Sequence, residues 1–291
     1  MHFDVWFPAA SPFATAELLA AVGREAEERS VHAIWVGEHV VTMDDYASDY
    51  PYAEDGRLPL PPGTGLLEPF TTLTFLAAVT SRVRLATAVC LLPQRNPVYT
   101  AKEVATLDWL SQGRVDLGVG VGWLREEFEA VGVPWERRGA RTDDYLGVLR
   151  SLWCDDPSTF AGEFYTLAPC HQYPKPVQDP HPPIHIGGES DAALRRTARF
   201  GRGWHTFNRL PADLAAPLAR LDELLAAEGR TRDEITVTVC PYFQEFSPAT
   251  VDQYAAAGAD AVAALLFVTE PSDVPAAFDA LDPLMERARA S

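Results

Sequence analysis

The chain has few basic residues, only scattered cysteines and no long apolar run, and each shortage excludes a class of protein. Only 24 lysines and arginines stand against 41 acidic residues, a net charge of −17, which argues against any protein that coats nucleic acid. Cys90, Cys154, Cys170 and Cys240 are far apart and form no C-x-x-C pair, so neither a zinc site nor a disulfide framework is indicated. No apolar stretch reaches spanning length, and the first residues lack the basic and apolar regions of an export signal. We therefore expect a cytoplasmic protein that binds neither membranes nor nucleic acid.

Strand-like and helix-like segments alternate along the whole chain. Runs rich in valine, isoleucine and aromatics predict strands at 3–8, 33–38, 83–90, 114–121, 183–187, 203–207, 235–242 and 260–268. One-sided apolar spacing predicts helices at 14–29, 69–80, 98–111, 123–131, 138–153, 190–200, 212–228, 248–257 and 273–289. Repeated βα units predict a parallel sheet, and eight of them close a barrel. The expected fold is an α/β (β/α)8 TIM barrel that forms one domain over residues 1–291.

Two connections are longer than the few residues that usually join a strand to a helix. The extended loop after strand two, 42–67, carries Tyr46, Tyr50 and Tyr52 among acidic residues, prolines and glycines. The insertion before strand five, 154–182, contains a predicted hairpin that turns near Gly162. Active sites of (β/α)8 barrels lie among the loops that follow the strands, so the tyrosine loop is expected to act as a lid.

The segment 113–128 is the most informative part of the chain, because a strand runs there into a ladder of glycines and then a helix. One strand face carries Val115, Leu117, Val119 and Val121, and the other carries Asp116, Gly118, Gly120 and Gly122. A bare strand face lets another group approach the backbone closely. A ligand is the preferred candidate for that group, and a packed neighbour is the alternative. The G-x-G-x-G spacing lacks the third glycine of the dinucleotide fingerprint.

Seven segments in chain order carry a family resemblance. They lie at 35–39, 86–97, 107–123, 138–145, 152–153, 174–178 and 182–188, within a match that spans residues 3 to about 205. Together they resemble the luciferase-like monooxygenase and coenzyme F420-dependent oxidoreductase superfamily, especially the branch that uses F420. The resemblance implies a flavin or deazaflavin oxidoreductase that acts on a small organic substrate.

The resemblance also implies a set of cofactor-binding residues. Relatives that bind the deazaflavin have a bulge with a non-prolyl cis peptide behind the ring, which would fall at Ala88–Val89. Glycine turns would hold the phosphate and tail. The expected residues are Ala88, Val89, Cys90, Gly118, Gly120, Val121, Gly122, Trp123, Gly187, Gly188 and Arg138. Trp123 departs from the family pattern, since many deazaflavin enzymes have an acidic residue there, and Glu126 and Glu127 are expected to be a solvated helix start.

His39 is the leading catalytic candidate. It follows an apolar strand at the expected catalytic rim, and imidazole suits proton transfer near neutral pH. In relatives the corresponding histidine sits beside the reactive face of the ring. The alternative is a histidine that only bonds the barrel mouth. Glu38 is expected to be structural, because neighbours on a regular strand point to opposite faces.

Other polar groups allow two interpretations each. Arg137, Arg138 and Arg141 either hold an anionic cofactor tail or pair with nearby carboxylates. His181 and His185 have the spacing of a helical metal pair, but the prolines around them forbid a helix, so no metal site is expected. The residues expected to bind substrate are Trp6, Tyr46, Tyr50, Tyr52 and His205.

The sequence is compatible with three functions. The first is an oxidoreductase that uses coenzyme F420, and the second is an FMN-dependent monooxygenase supplied with reduced flavin by a partner reductase. The third is a degenerate barrel that binds a small molecule without redox chemistry, which Trp123 supports. A homodimer is also expected, because relatives pair through the helices after strands two and three. The apolar residues expected at that interface are Phe70, Leu73, Phe75, Leu76 and Trp109.

Overall fold

The computed structural model describes residues 1–291 and shows a closed barrel of parallel strands. The strands are β1 (His2–Phe7), β2 (Ala33–Val36), β3 (Arg84–Thr87), β4 (Val115–Gly120), β5 (Ile184–Gly187), β6 (Gly203–Phe207), β7 (Thr236–Cys240) and β8 (Ala261–Leu265). Each pairs in parallel with the next, and β8 pairs with β1 from His2–Ala261 to Trp6–Leu265. The predicted (β/α)8 barrel is confirmed.

Helices surround the barrel, and several of them begin at a capping side chain. They are α1 (Ala16–Glu28), α2 (Pro69–Val79), α3 (Pro97–Ser111), α4 (Arg125–Ala130), α5 (Arg138–Cys154), α6 (Asp191–Phe200), α7 (Ala215–Ala227), α8 (Pro248–Ala256) and α9 (Val274–Ala290). Asn96 and Ser190 accept hydrogen bonds from the first-turn amides of α3 and α6. Such caps satisfy donors that a helix start otherwise leaves unpaired.

The interior of the barrel is a small core of its own. It consists of Trp6, Ala33, Trp35, Ala86, Ala88, Cys240 and Ala263. Alanines on β2, β3 and β8 leave room for the Trp35 indole, whose Nε1 donates to Asp4 at 2.8 Å. Trp35 packs against His205 with ring centroids 4.5 Å apart, and both side chains are fully buried. This layer separates the cavity at the carboxyl ends of the strands from a polar cavity at the opposite end.

Both long connections take the expected kind of structure. Within the loop after β2, Gly65–Leu66 pairs antiparallel with Ala10–Ser11, which ties the loop to the end of β1. In the insertion before β5, Ser158–Ala161 and Thr166–Cys170 form the predicted hairpin around Gly162. None of the helices is both long and apolar enough to cross a membrane.

The structure corrects the predicted third strand. β3 ends at Thr87, and the chain resumes pairing with β4 only at Cys90–Leu91. Between these segments the Ala88–Val89 peptide bond is cis, as the family resemblance implied.

Candidate functional site

A cavity of about 410 Å³ opens at the carboxyl ends of the barrel strands. This is the end at which (β/α)8 enzymes carry their sites. The predicted site residues on its wall are Trp6, His39, Tyr50, Tyr52, Ala88, Val89, Trp123, Gly187, Gly188 and His205. Other predicted residues, namely Tyr46, Cys90, Gly118, Gly120, Val121, Gly122 and Arg138, do not line it. Ten of the 17 predicted residues therefore share one cavity wall, where they are ten of its 27 lining residues.

His39 is held at this wall by a buried carboxylate. Its Nδ1 lies 3.2 Å from Oε2 of Glu127, on α4, and only 10% of the His39 side chain is exposed. Glu127 also accepts from the Val40 amide at 2.7 Å and from Nε2 of Gln94 at 3.1 Å. A carboxylate hydrogen-bonded to one ring nitrogen fixes the orientation of the imidazole.

The prediction that Glu127 is solvated was wrong. The side chain is fully buried, because Leu124 and Phe128 place the same face of α4 against the barrel. Glu126 does lie at the surface, where it accepts from the Ala47 amide at 2.7 Å and from Ser48 at 2.8 Å. The two adjacent carboxylates thus do different things: one orients His39 and the other anchors the loop.

Glu38 has a structural partner, in keeping with its predicted role. Its carboxylate accepts from Nε of Arg95 at 2.8 Å and from the Leu91 amide at 2.6 Å. Burial raises the pKa of Glu38 above its ordinary value, while Arg95 acts in the opposite direction. The pair ties the end of β2 to the segment that follows the cis peptide.

The glycine ladder accommodates a neighbouring segment of protein, which corrects the preference for a ligand. A Cβ at Gly118 would collide with the carbonyl oxygen of Thr87, and one at Gly120 would collide with Cγ2 of Val89. Gly187, on the other side, would bring a Cβ within 2.8 Å of Cγ1 of Val89. The bare strand face therefore makes room for the bulge after β3, and the bulge in turn presents Ala88 and Val89 to the cavity.

The turn after β5 leaves backbone open at the cavity. Gly188 has φ of +110°, a conformation that residues with a Cβ rarely adopt. Its carbonyl accepts from Nε1 of Trp204 at 3.0 Å. Ser190, two residues after Gly188, then caps the start of α6. Amides at such a position suit an anionic group.

The three arginines of the predicted basic cluster have separate environments. Arg137 pairs with Glu163 at the surface, and buried Arg141 donates to the backbone carbonyls of Pro134 and Glu136. Arg138 has no carboxylate partner: its Nε donates to the Gly122 carbonyl at 3.1 Å, and its guanidinium lies 3.5 Å from the centroid of the Trp135 ring. Burial lowers the pKa of Arg138. Of the three, only Arg138 is left without a protein acceptor for its terminal nitrogens.

The tyrosine loop closes over the cavity through two of its three tyrosines. Tyr50 donates to the hydroxyl of Tyr242 at 3.2 Å, and the carbonyl of Tyr52 accepts from Nδ2 of Asn208 at 3.3 Å. Tyr46 instead packs edge-on against Trp123 and accepts from the Leu58 amide, inside the loop. Burial raises the pKa of Tyr50 and Tyr52, so both hydroxyls stay protonated.

His205 forms the floor of the cavity and does not project from the rim. It lies within β6, and neither ring nitrogen has a hydrogen-bond partner. Burial lowers the pKa of His205 to about 3, so the imidazole is neutral at physiological pH. Its ring stacks on Phe207, which ends the strand and stands on the cavity wall.

Sequence reasoning missed residues of the site besides Glu127. Phe207, at the end of β6, and Tyr242, two residues after β7, are two of the 17 lining residues that were not predicted, and both are aromatic. Tyr242 has φ of +58°, so the chain turns there in a way that a predicted strand through residue 242 did not anticipate. Helical spacing could have found Glu127, since it shares a face with Leu124 and Phe128.

Comparisons with known proteins agree with this architecture. A model of the luciferase-like monooxygenase family matches residues 1–279. An uncharacterised protein of Mycobacterium tuberculosis is 38% identical over 212 residues, which cover 72% of this chain and 74% of that protein. An FMNH2-dependent dimethylsulfone monooxygenase of Pseudomonas putida is 32% identical over 157 residues, covering 53% of this chain and 43% of that enzyme.

A solved structure shows the same fold over nearly the full length. An F420-dependent secondary alcohol dehydrogenase in complex with an F420-acetone adduct superposes with a TM-score of 0.78, covering 99% of this chain and 98% of that one. Its sequence identity is 16%, so the likeness concerns the fold alone. The family match extends from the first residue into the start of α9. The chain belongs to the family of luciferase-like monooxygenases, whose members are flavin- or F420-dependent oxidoreductases and monooxygenases.

Proposed function

We propose that the protein is an oxidoreductase that uses coenzyme F420 to move a hydride to or from a small organic substrate. The observation that carries the proposal is the convergence of His39, the cis Ala88–Val89 peptide and the Gly187–Gly188 turn on one cavity. These are the residues that the sequence resemblance assigns to the ring and phosphate of the deazaflavin. When bound, such a cofactor supplies the hydride chemistry, while the protein orients the reactants and handles protons.

The wall of the cavity fits a planar ring with an anionic tail. Ala88 and Val89 offer an apolar surface, and the glycines around Val89 let that surface project into the cavity. The Gly187–Gly188 turn and the start of α6 suit the phosphate. Arg138 does not line the cavity, but its terminal nitrogens have no protein acceptor, so it is the arginine of the cluster that is available to an anionic tail.

His39 would hold or release the proton that accompanies hydride transfer. Glu127 bonds Nδ1, which leaves Nε2 as the nitrogen available to the cavity. An imidazole that a buried carboxylate holds in one orientation is placed to carry a proton between steps. The acid that the family pattern places after the glycine ladder is absent at Trp123, and Glu127 supplies a carboxylate from the next helix.

An FMN-dependent monooxygenase is the second candidate, supported by the dimethylsulfone monooxygenase relative. The same turn and bulge serve a flavin ring and its phosphate, and a partner reductase would then supply reduced flavin. A barrel without redox chemistry has less support, because the buried Glu127–His39 pair replaces the acid whose loss at Trp123 suggested it.

We also propose a cytoplasmic homodimer. Tyr99, Trp109 and Leu110 on α3 are 73%, 58% and 58% exposed, which is unusual for large apolar side chains. Of the interface residues predicted from sequence, Phe70, Leu73 and Leu76 are buried within the protomer, so Trp109 is the one that α3 offers to a second copy. All four cysteines are free thiols, in keeping with a reducing compartment.

Anaerobic titration of the purified protein with F420 and with FMN tests the cofactor. We expect F420 to bind in the micromolar range with a change in its absorbance, and tighter binding of FMN would favour the monooxygenase. Arg138→Gln should weaken the phosphate-bearing cofactor about tenfold and leave its phosphate-free chromophore unaffected. Arg137→Gln, which removes a surface arginine already paired with Glu163, is the matched control. Binding of neither cofactor would exclude both redox functions.

A further inference from the structure

Part of the cavity, which reaches the mouth at Phe13 and Phe267, has an almost wholly apolar wall. We call it the outer chamber and define it by Trp6, Phe13, Leu66, Phe207, Leu265 and Phe267. The loop segment 58–61, Leu-Pro-Leu-Pro, covers its mouth. Phe13 is 39% exposed and Phe267 is 70% exposed, so apolar surface at the mouth stands open to a ligand. Burial of such surface favours an apolar molecule by roughly 25 cal/mol per Å².

The chamber offers no counter-ion to a charged ligand. The wall of the whole cavity contains one carboxylate, Glu38, and Arg95 neutralises it. The lining has no lysine, arginine or aspartate, and His39 already faces the buried carboxylate of Glu127. A carboxylate or ammonium group that entered would lose its hydration without gaining an ion pair, and this transfer is strongly unfavourable.

A pair of tyrosines provides the polar feature of the chamber. Tyr50 donates its hydroxyl proton to Tyr242, so the proton of Tyr242 itself has no acceptor in the protein. The Tyr242 ring is fixed edge-on against Trp6 at 5.7 Å and lies 5.0 Å from Phe207. Its left-handed backbone, φ +58°, turns the chain after β7 and brings this ring to the cavity wall. A hydroxyl at the cavity wall whose proton has no acceptor in the protein favours a ligand that supplies an acceptor.

We infer that the outer chamber binds a neutral, largely apolar molecule with one hydrogen-bond-accepting oxygen, and that Tyr242 donates to that oxygen. The inference rests on the proposed function only in naming this molecule as the substrate. Because Tyr242 would touch the substrate and not the cofactor, it is a specificity-determining residue for the reaction. It selects for an acceptor oxygen, while the apolar wall selects against charge.

Three benzene derivatives of similar shape test the inference by calorimetric titration of the protein. Acetophenone carries a carbonyl oxygen, benzoate replaces its methyl group by a charged oxygen, and isopropylbenzene lacks the acceptor. We expect acetophenone to bind about tenfold or more tightly than benzoate. Tyr242→Phe should weaken the binding of acetophenone by roughly threefold to tenfold, which corresponds to the loss of one hydrogen bond. The same variant should change the affinity for isopropylbenzene by less than about twofold.

Two further variants test whether the effect on binding belongs to the Tyr242 hydroxyl itself. Tyr50→Phe leaves the Tyr242 hydroxyl in place, so it should retain most of the acetophenone affinity. Tyr165→Phe removes a hydroxyl outside the cavity and should bind all three probes like the original protein. Benzoate binding as tight as acetophenone overturns the selection against charge, and unchanged acetophenone binding by Tyr242→Phe overturns the role of its hydroxyl.

Titration of the same preparations with F420 and FMN keeps this inference apart from the proposed function. Cofactor binding without acetophenone binding contradicts the inference and leaves the redox proposal intact. Acetophenone binding without either cofactor supports the chamber and removes its interpretation as part of a redox enzyme.

Discussion

Nδ1 of His39 lies 3.2 Å from Oε2 of Glu127, which stands 88 residues later in the chain. The end of β2 supplies the imidazole, and α4, which follows β4, supplies the carboxylate. A protonatable ring oriented by a buried acid is a common arrangement for proton transfer in enzymes. Because both residues are fixed by the barrel and not by the lid, the pair is present before any ligand binds.

Replacement of His39 by alanine should reduce turnover and spare the fold. The side chain lies at the rim, so we expect melting within a few degrees of the original protein. Loss of a positioned proton carrier typically costs about a hundredfold or more in rate. Turnover of a substrate found by screening, measured beside thermal unfolding, checks this. Full activity in the variant would make His39 structural.

Glu127→Gln should lower turnover through His39. The amide keeps the shape of the side chain but replaces the charged hydrogen bond to Nδ1 by a neutral one, and a loss of about 1.5–3 kcal/mol is roughly tenfold to a hundredfold in rate. The loss should fall on kcat and leave KM nearly unchanged, because Glu127 contacts His39 and does not line the cavity. Glu129→Gln, on the exposed side of the same helix, is the control and should behave like the original protein. A raised KM with unchanged kcat in Glu127→Gln would argue against an orienting role.

Gly120→Ala should displace the segment after β3. The new methyl group would collide with Val89, and overpacking of this kind typically costs about 1–3 kcal/mol. Cofactor binding should weaken in parallel, because Val89 stands on the cavity wall. Combining it with Val89→Ala should restore part of the stability in urea unfolding. Gly65→Ala, where a Cβ meets nothing within 4 Å, is the matched substitution.

His205 should make the protein less stable in acid. Its pKa is about 3 in the folded barrel because of burial, against about 6.5 unfolded, so unfolding takes up a proton below pH 6.5. Its contribution to stability is complete above pH 6.5 and falls by up to about 1.4 kcal/mol per pH unit toward pH 3. Urea unfolding of His205→Phe between pH 7.5 and 5 should show a shallower loss than the original protein. If the unfolding free energies of the two proteins fall equally with pH, His205 is protonated in the folded state.

Trp109→Glu should convert a dimer to a monomer. A charge in the centre of an apolar contact is left without its hydration, which opposes association. Light scattering at micromolar concentration measures the mass directly. Leu210→Glu, at another exposed apolar side chain, should not alter it. A monomeric original protein would contradict the proposal before any variant is made.

The fold was predictable because each barrel strand carries its own pattern. Runs such as 114–121 are short, apolar and bounded by turns, and helical spacing fills the intervals between them. Parallel pairing of the strands then closes the barrel, and no further sequence signal is needed to predict the closure. The lid could also be anticipated, since a tyrosine-rich connection of that length rarely lacks a function.

The site was only partly predictable, because a strand's sequence does not say what lies opposite it. The bare face of Gly118 and Gly120 looks the same whether a ligand or a bulge fills it, and here Thr87 and Val89 fill it. The burial of Glu127 was difficult to predict for a similar reason. Acidic residues at a helix start are usually solvated, and only contact with the barrel distinguishes the buried one.

The Trp35 indole, packed on His205, blocks the barrel axis beneath the cavity. Any ligand of the cavity therefore enters and leaves at the carboxyl ends of the strands. The barrel has no through-channel, so the polar cavity at the amino ends of the strands gives no second route to the site.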